Sequence, residues 1–184
     1  HLDNPPYGVS NVATTNIGLQ LNHEVLNFIG TGSNVLTFGT EFLWDDVYDE
    51  IPSYDYLIDQ STSDLGIFIQ SDWSLLTNLS LLSGVRMDNH NLVESPVFSP
   101  RASLLYKLKK NTQFRLSYGS GFRAPQAFDT DLHIAFAGGG VSRVTLSPTL
   151  APENSNSYSA SINIDKPYEH FIAGFTLEGF YTRL

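Results

Sequence analysis

The connections between the expected strands of this chain alternate in length, and that alternation constrains the fold more than any single motif does. Eight segments carry side chains of like character at every second position, and no segment of helical period competes with them. They run at about 10–26, 34–44, 64–75, 79–88, 97–108, 115–122, 156–165 and 170–184. The connections between them read short, long, short, middle, short, very long, short. In an antiparallel meander this order gathers the tight turns at one end of the sheet and the long excursions at the other. Sandwiches with Greek-key connections show no such regularity. The expected fold is all-β, an antiparallel up-and-down meander of about eight strands.

The two faces of these strands differ in kind. Phe114, Leu116, Tyr118 and Phe122 alternate with Arg115, Ser117, Gly119, Gly121 and Arg123. Along 34–44, Leu36, Phe38, Phe42 and Trp44 alternate with Thr37, Gly39 and Glu41. Glu41, Arg86, Asp88, Arg101, Arg115 and Glu178 all lie opposite the larger apolar set of their strand. A bilayer on one side and an aqueous lumen on the other supply the two solvents such a wall needs. Slipping a strand by one residue would turn its charges to lipid, at roughly 2–4 kcal/mol for an arginine at the midplane. A soluble sandwich, core inside and water outside, gives the same periodicity. The pattern alone leaves both open, and the order of the connections favours the barrel.

Composition removes several other classes. The net charge of −9 in 184 residues disfavours a nucleic-acid footprint of clustered Lys and Arg. There is no cysteine, so disulfide frameworks, thiolate zinc sites and thiol catalysis are excluded. No apolar run approaches the roughly 18 residues of a spanning helix. A near-neutral mean hydropathy is expected of a barrel wall, because lipid-facing and lumen-facing residues cancel in any window.

Two short motifs carry a resemblance. Tyr118-Gly119-Ser120-Gly121-Phe122-Arg123-Ala124-Pro125 ends one strand, and Leu150-Ala151-Pro152-Glu153-Asn154-Ser155 opens the next after the longest connection. In combination they resemble the barrel of TonB-dependent outer-membrane receptors, over most of the chain. The resemblance implies that 1–184 is part of a 22-stranded transmembrane β-barrel domain, without the plug and without the C-terminal end. It implies placement in the outer membrane of a Gram-negative bacterium and active import of a scarce nutrient: a ferric siderophore, cobalamin, another metal chelate or a glycan. The implied partners are outer-membrane lipid, the small-molecule ligand, and a TonB complex acting through the plug. No enzymatic activity and no nucleic acid are implied.

Candidate site residues follow from charge and position. Connections at 45–63, 89–97 and 123–153 are expected to meet the ligand first, with Arg101, Arg115 and Arg123 guiding an anionic one. Asp129, Asp131 and His133 share one side of an extended backbone. They suit a metal chelate or acid–base chemistry, against the plainer reading of a hydrogen-bonded loop edge. Asp45, Asp46, Asp49 and Glu50 sit in an acidic stretch free of Lys and Arg, dense enough in oxygen ligands for a structural Ca²⁺. They lack EF-hand spacing, and the plainer reading, a solvated acidic surface loop, is the one favoured. No cofactor beyond that calcium is expected. Gly119-Ser120-Gly121 has no following Gly-Lys-Ser/Thr, and no G-x-S-x-G elbow occurs. Trp44, Tyr48, Tyr54, Tyr56, Trp73, Tyr106 and Tyr118 lie near strand ends, as interfacial girdles or as ordinary core and loop aromatics. Two other readings remain: a complete eight-stranded barrel, serving as anchor or as a hydrolase through Asp129 and His133, and a soluble secreted β-sandwich that binds a partner.

Overall fold

Period-two alternation over this many residues produces one sheet. The computed structural model describes residues 8–26, 32–52, 55–125, 136–137, 140–141 and 151–184. Its strands are β1 (Val9–Leu26), β2 (Ser33–Ile51), β3 (Tyr56–Leu76), β4 (Leu79–His90), β5 (Val97–Lys109), β6 (Thr112–Arg123), β7 (Phe136–Ala137), β8 (Gly140–Val141), β9 (Glu153–Pro167) and β10 (Ile172–Arg183). Eight of them form a single antiparallel sheet in the order β1-β2-β3-β4-β5-β6-β9-β10, while β7 and β8 pair only with each other. Each long strand pairs with its neighbour in sequence, as a meander requires. β1 and β10 occupy the two edges, so the eight strands make an open sheet, not a closed barrel or two stacked layers.

Short polar turns close one end. Thr77-Asn78 joins β3 to β4, and Lys110-Asn111 joins β5 to β6. The Asn78 carbonyl accepts a hydrogen bond from the Lys107 amide at 2.8 Å, and the Asn111 carbonyl accepts one from Asp165 at 2.8 Å. Each turn is thereby stitched to the strand beside it. The opposite end holds the connection 91–96 and the long excursion 124–152.

One expectation fails at that end. The acidic stretch 45–63 is not a loop: β2 and β3 stay paired through it, from Trp44 opposite Ser63 to Ile51 opposite Tyr56. Beyond that last pair the Asp55 amide is bonded to the Pro52 carbonyl at 3.1 Å, and Asp55 has φ 49°, a left-handed conformation Asp tolerates. The ladder survives because each strand supplies the other's backbone partners, with Val47, Ile51 and Ile58 together on one face among the acids. The excursion is a projecting hairpin.

Register keeps the two faces unmixed across the sheet. Phe42 lies opposite Ile17 and Leu65, Phe38 opposite Leu21 and Ile69, and Leu116 opposite Leu104 and Ala160. On the other side, Glu41 lies opposite Gly18 and Gly66, and Ser117 opposite Ser103 and Ser159. Among the described residues, nothing packs against the apolar face. Ile69 is 52% exposed, Leu116 57% and Phe175 58%, and the only buried hydrophobic residues among those described are Ile58 and Ala124. A water-soluble protein does not leave an apolar surface of this extent uncovered.

Candidate functional site

The polar face has two regions of different construction. Over β1 to β4 it is filled by large side chains that interlock above glycines. Arg86 on β4 donates from Nε to Asp88 Oδ1 at 2.5 Å and from Nη1 to Glu41 Oε2 at 2.8 Å, with Asp64 Oδ2 4.0 Å from Nη2. To reach Glu41 on β2 it must cross β3, and it crosses at Gly66, which stands between Glu41 and Asp88 in the register. A Cβ there would collide with the guanidinium. Asn16 completes the Glu41 carboxylate with a 2.9 Å bond to Oε1. Asp88 is only 3% exposed, and His90 beside it 7%. Gly39 repeats the device, since a Cβ there would strike the Phe68 ring and lie 2.9 Å from the Leu19 carbonyl oxygen.

Over β5, β6 and β9 the same face is lined by hydroxyls and glycine. The Ser103 and Ser117 hydroxyls pair at 2.9 Å, and those of Ser157 and Thr182 at 3.0 Å. A Cβ on Gly119 would meet nothing within 4 Å. Two of the expected arginines stand here. Arg101 lies opposite Gly119 and bonds Gln70 Oε1, while Arg115 lies opposite Leu105 and Ser161. They share one face with the paired serines Ser103 and Ser117 between them.

Arg123 ends β6 opposite Glu153 and joins Asp64, Arg86, Asp88 and His90 around a cavity of about 460 Å³ at the end of the long excursions. A second cavity, about 670 Å³, opens at that end between the 91–96 connection and the start of β9, lined by Leu92, Pro96, Phe98, Pro152 and Asn154. Asp129, Asp131 and His133 lie outside the described residues. The four acids proposed for calcium do not converge, because Asp45 and Asp49 fall on one face of β2 and Asp46 and Glu50 on the other. Glu50 is engaged instead by the Tyr48 hydroxyl at 2.6 Å. Among the described residues, no three or more His, Asp or Glu side chains group as a metal site would require.

The ion network around Arg86 is the feature that sequence reading missed as a unit. Its signal was Arg86-x-Asp88 on one face with Glu41 on the matching face of β2, and a glycine at the crossing point. On the apolar face, Tyr118, Tyr158 and Tyr181 stand side by side on β6, β9 and β10, and the next row outward is Ser120, Asn156 and Arg183. Trp44 lies on the apolar face of β2, its indole N–H bonded to Ser61 Oγ at 2.9 Å and Asp46 following on the same face. Trp73 and Tyr106 lie toward the short turns. Aromatic rows bounding an apolar band are the girdles of a membrane barrel.

A meander with an uncovered apolar band, aromatic borders and a charged opposite face defines part of a transmembrane β-barrel wall, since only closed barrels satisfy strand backbone inside lipid. The family model for the TonB dependent receptor-like beta-barrel matches residues 3–184, and the chain belongs to that family. Among solved structures it resembles the siderophore receptor PirA from Pseudomonas aeruginosa, at 17% identity and TM-score 0.75, covering 94% of this chain and 32% of that one. The alcaligin outer-membrane receptor FauA from Bordetella pertussis is similar at 19% identity and TM-score 0.64, covering 95% and 30%. A G324V mutant of the ferric enterobactin receptor PfeA from Pseudomonas aeruginosa gives 17% and 0.67, covering 91% and 26%. This chain thus spans about a third or less of those receptors. A comparison with curated proteins gave no match.

Proposed function

We propose that these strands form part of the wall of a Gram-negative outer-membrane receptor that imports an anionic metal chelate, of the ferric siderophore class, using energy delivered by a TonB complex through a plug. The observation that carries this reading is the family match over residues 3–184 joined to a lumen face on which Arg101 and Arg115 flank hydroxyl-lined wall. Fixed cations above a smooth polar surface draw an anion in without gripping it. The structural neighbours PirA, a siderophore receptor, and PfeA, a ferric enterobactin receptor, support the same ligand class over cobalamin or a glycan.

Uptake of radiolabelled iron by iron-starved cells tests this. Reversing both charges, Arg101→Glu with Arg115→Glu, is expected to lower initial uptake of an anionic ferric chelate by about ten-fold while the barrel still assembles. Unchanged uptake in that double variant would overturn the role of the arginines. A receptor that accumulates no metal chelate under iron limitation would overturn the transport reading.

A further inference from the structure

One seam of the wall closes only part of the way. β4 and β5 stay paired out to Asp88 and Val97, and β6 and β9 out to Arg123 and Glu153. Between these two pairs of strands, the β5–β6 ladder ends at Arg101 opposite Gly119. Residues 97–100 of β5 and 120–123 of β6 therefore each keep a partner on the far side, β4 or β9, and none across the seam.

Pro100 accounts for where the ladder stops. Main-chain amides along a strand point alternately to its two neighbours. The Lys107 amide reaches the Asn78 carbonyl on the β4 side, so the odd-numbered residues of β5 serve β4 and the even-numbered ones serve β6. The Asn111 carbonyl faces Asp165 on the β9 side, so Ser120 and Phe122 are the residues of β6 that face the seam. The N–H that proline lacks is thus the one that would reach the Ser120 carbonyl, while pairing of Pro100 with Val85 is untouched. Ser99 and Ser120 stand on the two sides and share two cavities. One, of about 300 Å³, includes Phe68, Arg86 and Arg101; the other is the 460 Å³ cavity at the mouth, with Asp88 and His90 on one wall and Arg123 on the other. Its two walls belong to strands that the ladder no longer joins.

We infer that the outer end of this wall moves as two leaves, β1 to β5 and β6 with β9 and β10, which part and close along the seam above Pro100, and that import requires this motion. The Arg101–Gly119 pair is the hinge. Each leaf is held together on its own, the first by the Arg86 network across β2, β3 and β4, the second by pairing of β6 and β9 to their ends. Elsewhere a seam can part only by breaking ladder bonds in turn; here proline has removed the first of them. Parting widens the mouth cavity between Asp88 and Arg123, and closing narrows it. The consequence for import rests on the transport reading proposed above; the motion itself does not.

Two measurements on the assembled receptor in outer membranes, freed of any other cysteine, test it. If the ladder closed, Ser99 and Gly121 would form a closely spaced pair with Cα atoms about 4.5 Å apart, inside the disulfide range of about 4.4–6.8 Å. A side chain at 121 meets only an ordinary contact, Ser155 Oγ at 3.5 Å. Ser99→Cys with Gly121→Cys is expected to cross-link on mild oxidation, with initial uptake of an anionic ferric chelate falling about ten-fold and returning on reduction. Leu104→Cys with Leu116→Cys, partners on the lipid face below the hinge, is expected to cross-link and leave uptake unchanged. Hydrogen exchange resolved to single amides gives the second measurement. The Phe122 amide is expected to exchange roughly a hundred-fold faster than the Leu116 amide. Pro100→Val, which restores the missing donor, is expected to slow Phe122 about five-fold, the worth of one net hydrogen bond. No cross-link at 99 and 121 where 104 and 116 do link, equal exchange at Phe122 and Leu116, exchange untouched by Pro100→Val, or a locked seam with undiminished uptake overturns the inference. A receptor that takes up no ferric chelate in any form fails the transport reading instead, and the cross-link and the exchange still decide the motion.

Discussion

The polar face over β2 to β4 and the polar face over β5 to β9 look alike in hydropathy and are built on opposite principles. In the first, Arg86 lies over Gly66 and Phe68 over Gly39, so large side chains occupy the space that glycines vacate. In the second, Ser103, Ser117, Ser157 and Gly119 leave the surface low, with Arg115 rising from it and Arg101 leaning across β4 to Gln70 of β3. The first arrangement ties three neighbouring strands together through side chains as well as backbone. Apart from Arg101, the second adds to the ladder only short hydroxyl and amide bonds between adjacent strands, and its small side chains keep the lumen side low. One half of this wall is braced and the other is paved.

The sharpest way to break that contrast is to remove one arginine from each half. Arg86→Ala strands Asp88, almost fully buried, without its cation. The expected loss is about 3 kcal/mol, the low end for an orphaned buried charge because Arg86 itself is a third exposed. Arg115→Ala on the paved half is expected to change stability by no more than about 0.5 kcal/mol. Urea unfolding of the reconstituted receptor measures both, and equal losses would dissolve the distinction. A smaller effect sharpens it. Gly39→Ala forces a methyl against Phe68 and the Leu19 carbonyl, at an expected cost of about 1–3 kcal/mol. Gly119→Ala enters open space and is expected to be neutral or slightly stabilising, since it removes glycine's extra freedom in the unfolded chain.

The faces of β6 were legible because its residue types do not mix: aromatics and leucine on one side, arginine, serine and glycine on the other. The same clarity placed Arg101 and Arg115 on one surface before any register was known. The stretch 45–63 misled because Asp and Glu are poor strand formers, and their density hid the few apolar residues, Val47, Ile51 and Ile58, that share one face of the hairpin. A projecting hairpin satisfies its ladder from its own two arms, so propensity lost to pairing. The Arg86 network was hidden for a different reason. Arg86 and Glu41 are 45 positions apart, and their meeting depends on the register of three strands at once. The tyrosine row on β6, β9 and β10 is likewise a property of register, across a connection too long to fix by counting.

The central claim is that one face of every strand meets lipid and the next residue meets water. These 184 residues contain no cysteine, so in a receptor whose remaining cysteines, where present, are replaced by serine, each introduced cysteine reads alone. Cysteines introduced in turn at 157 to 162 of β9 in the assembled receptor, treated in intact membranes with a charged, membrane-impermeant maleimide, read this directly. The account predicts labelling with a period of two: strong at Ser157, Ser159 and Ser161, weak at Tyr158, Ala160 and Ile162. Uniform labelling, or the inverted order, would contradict it.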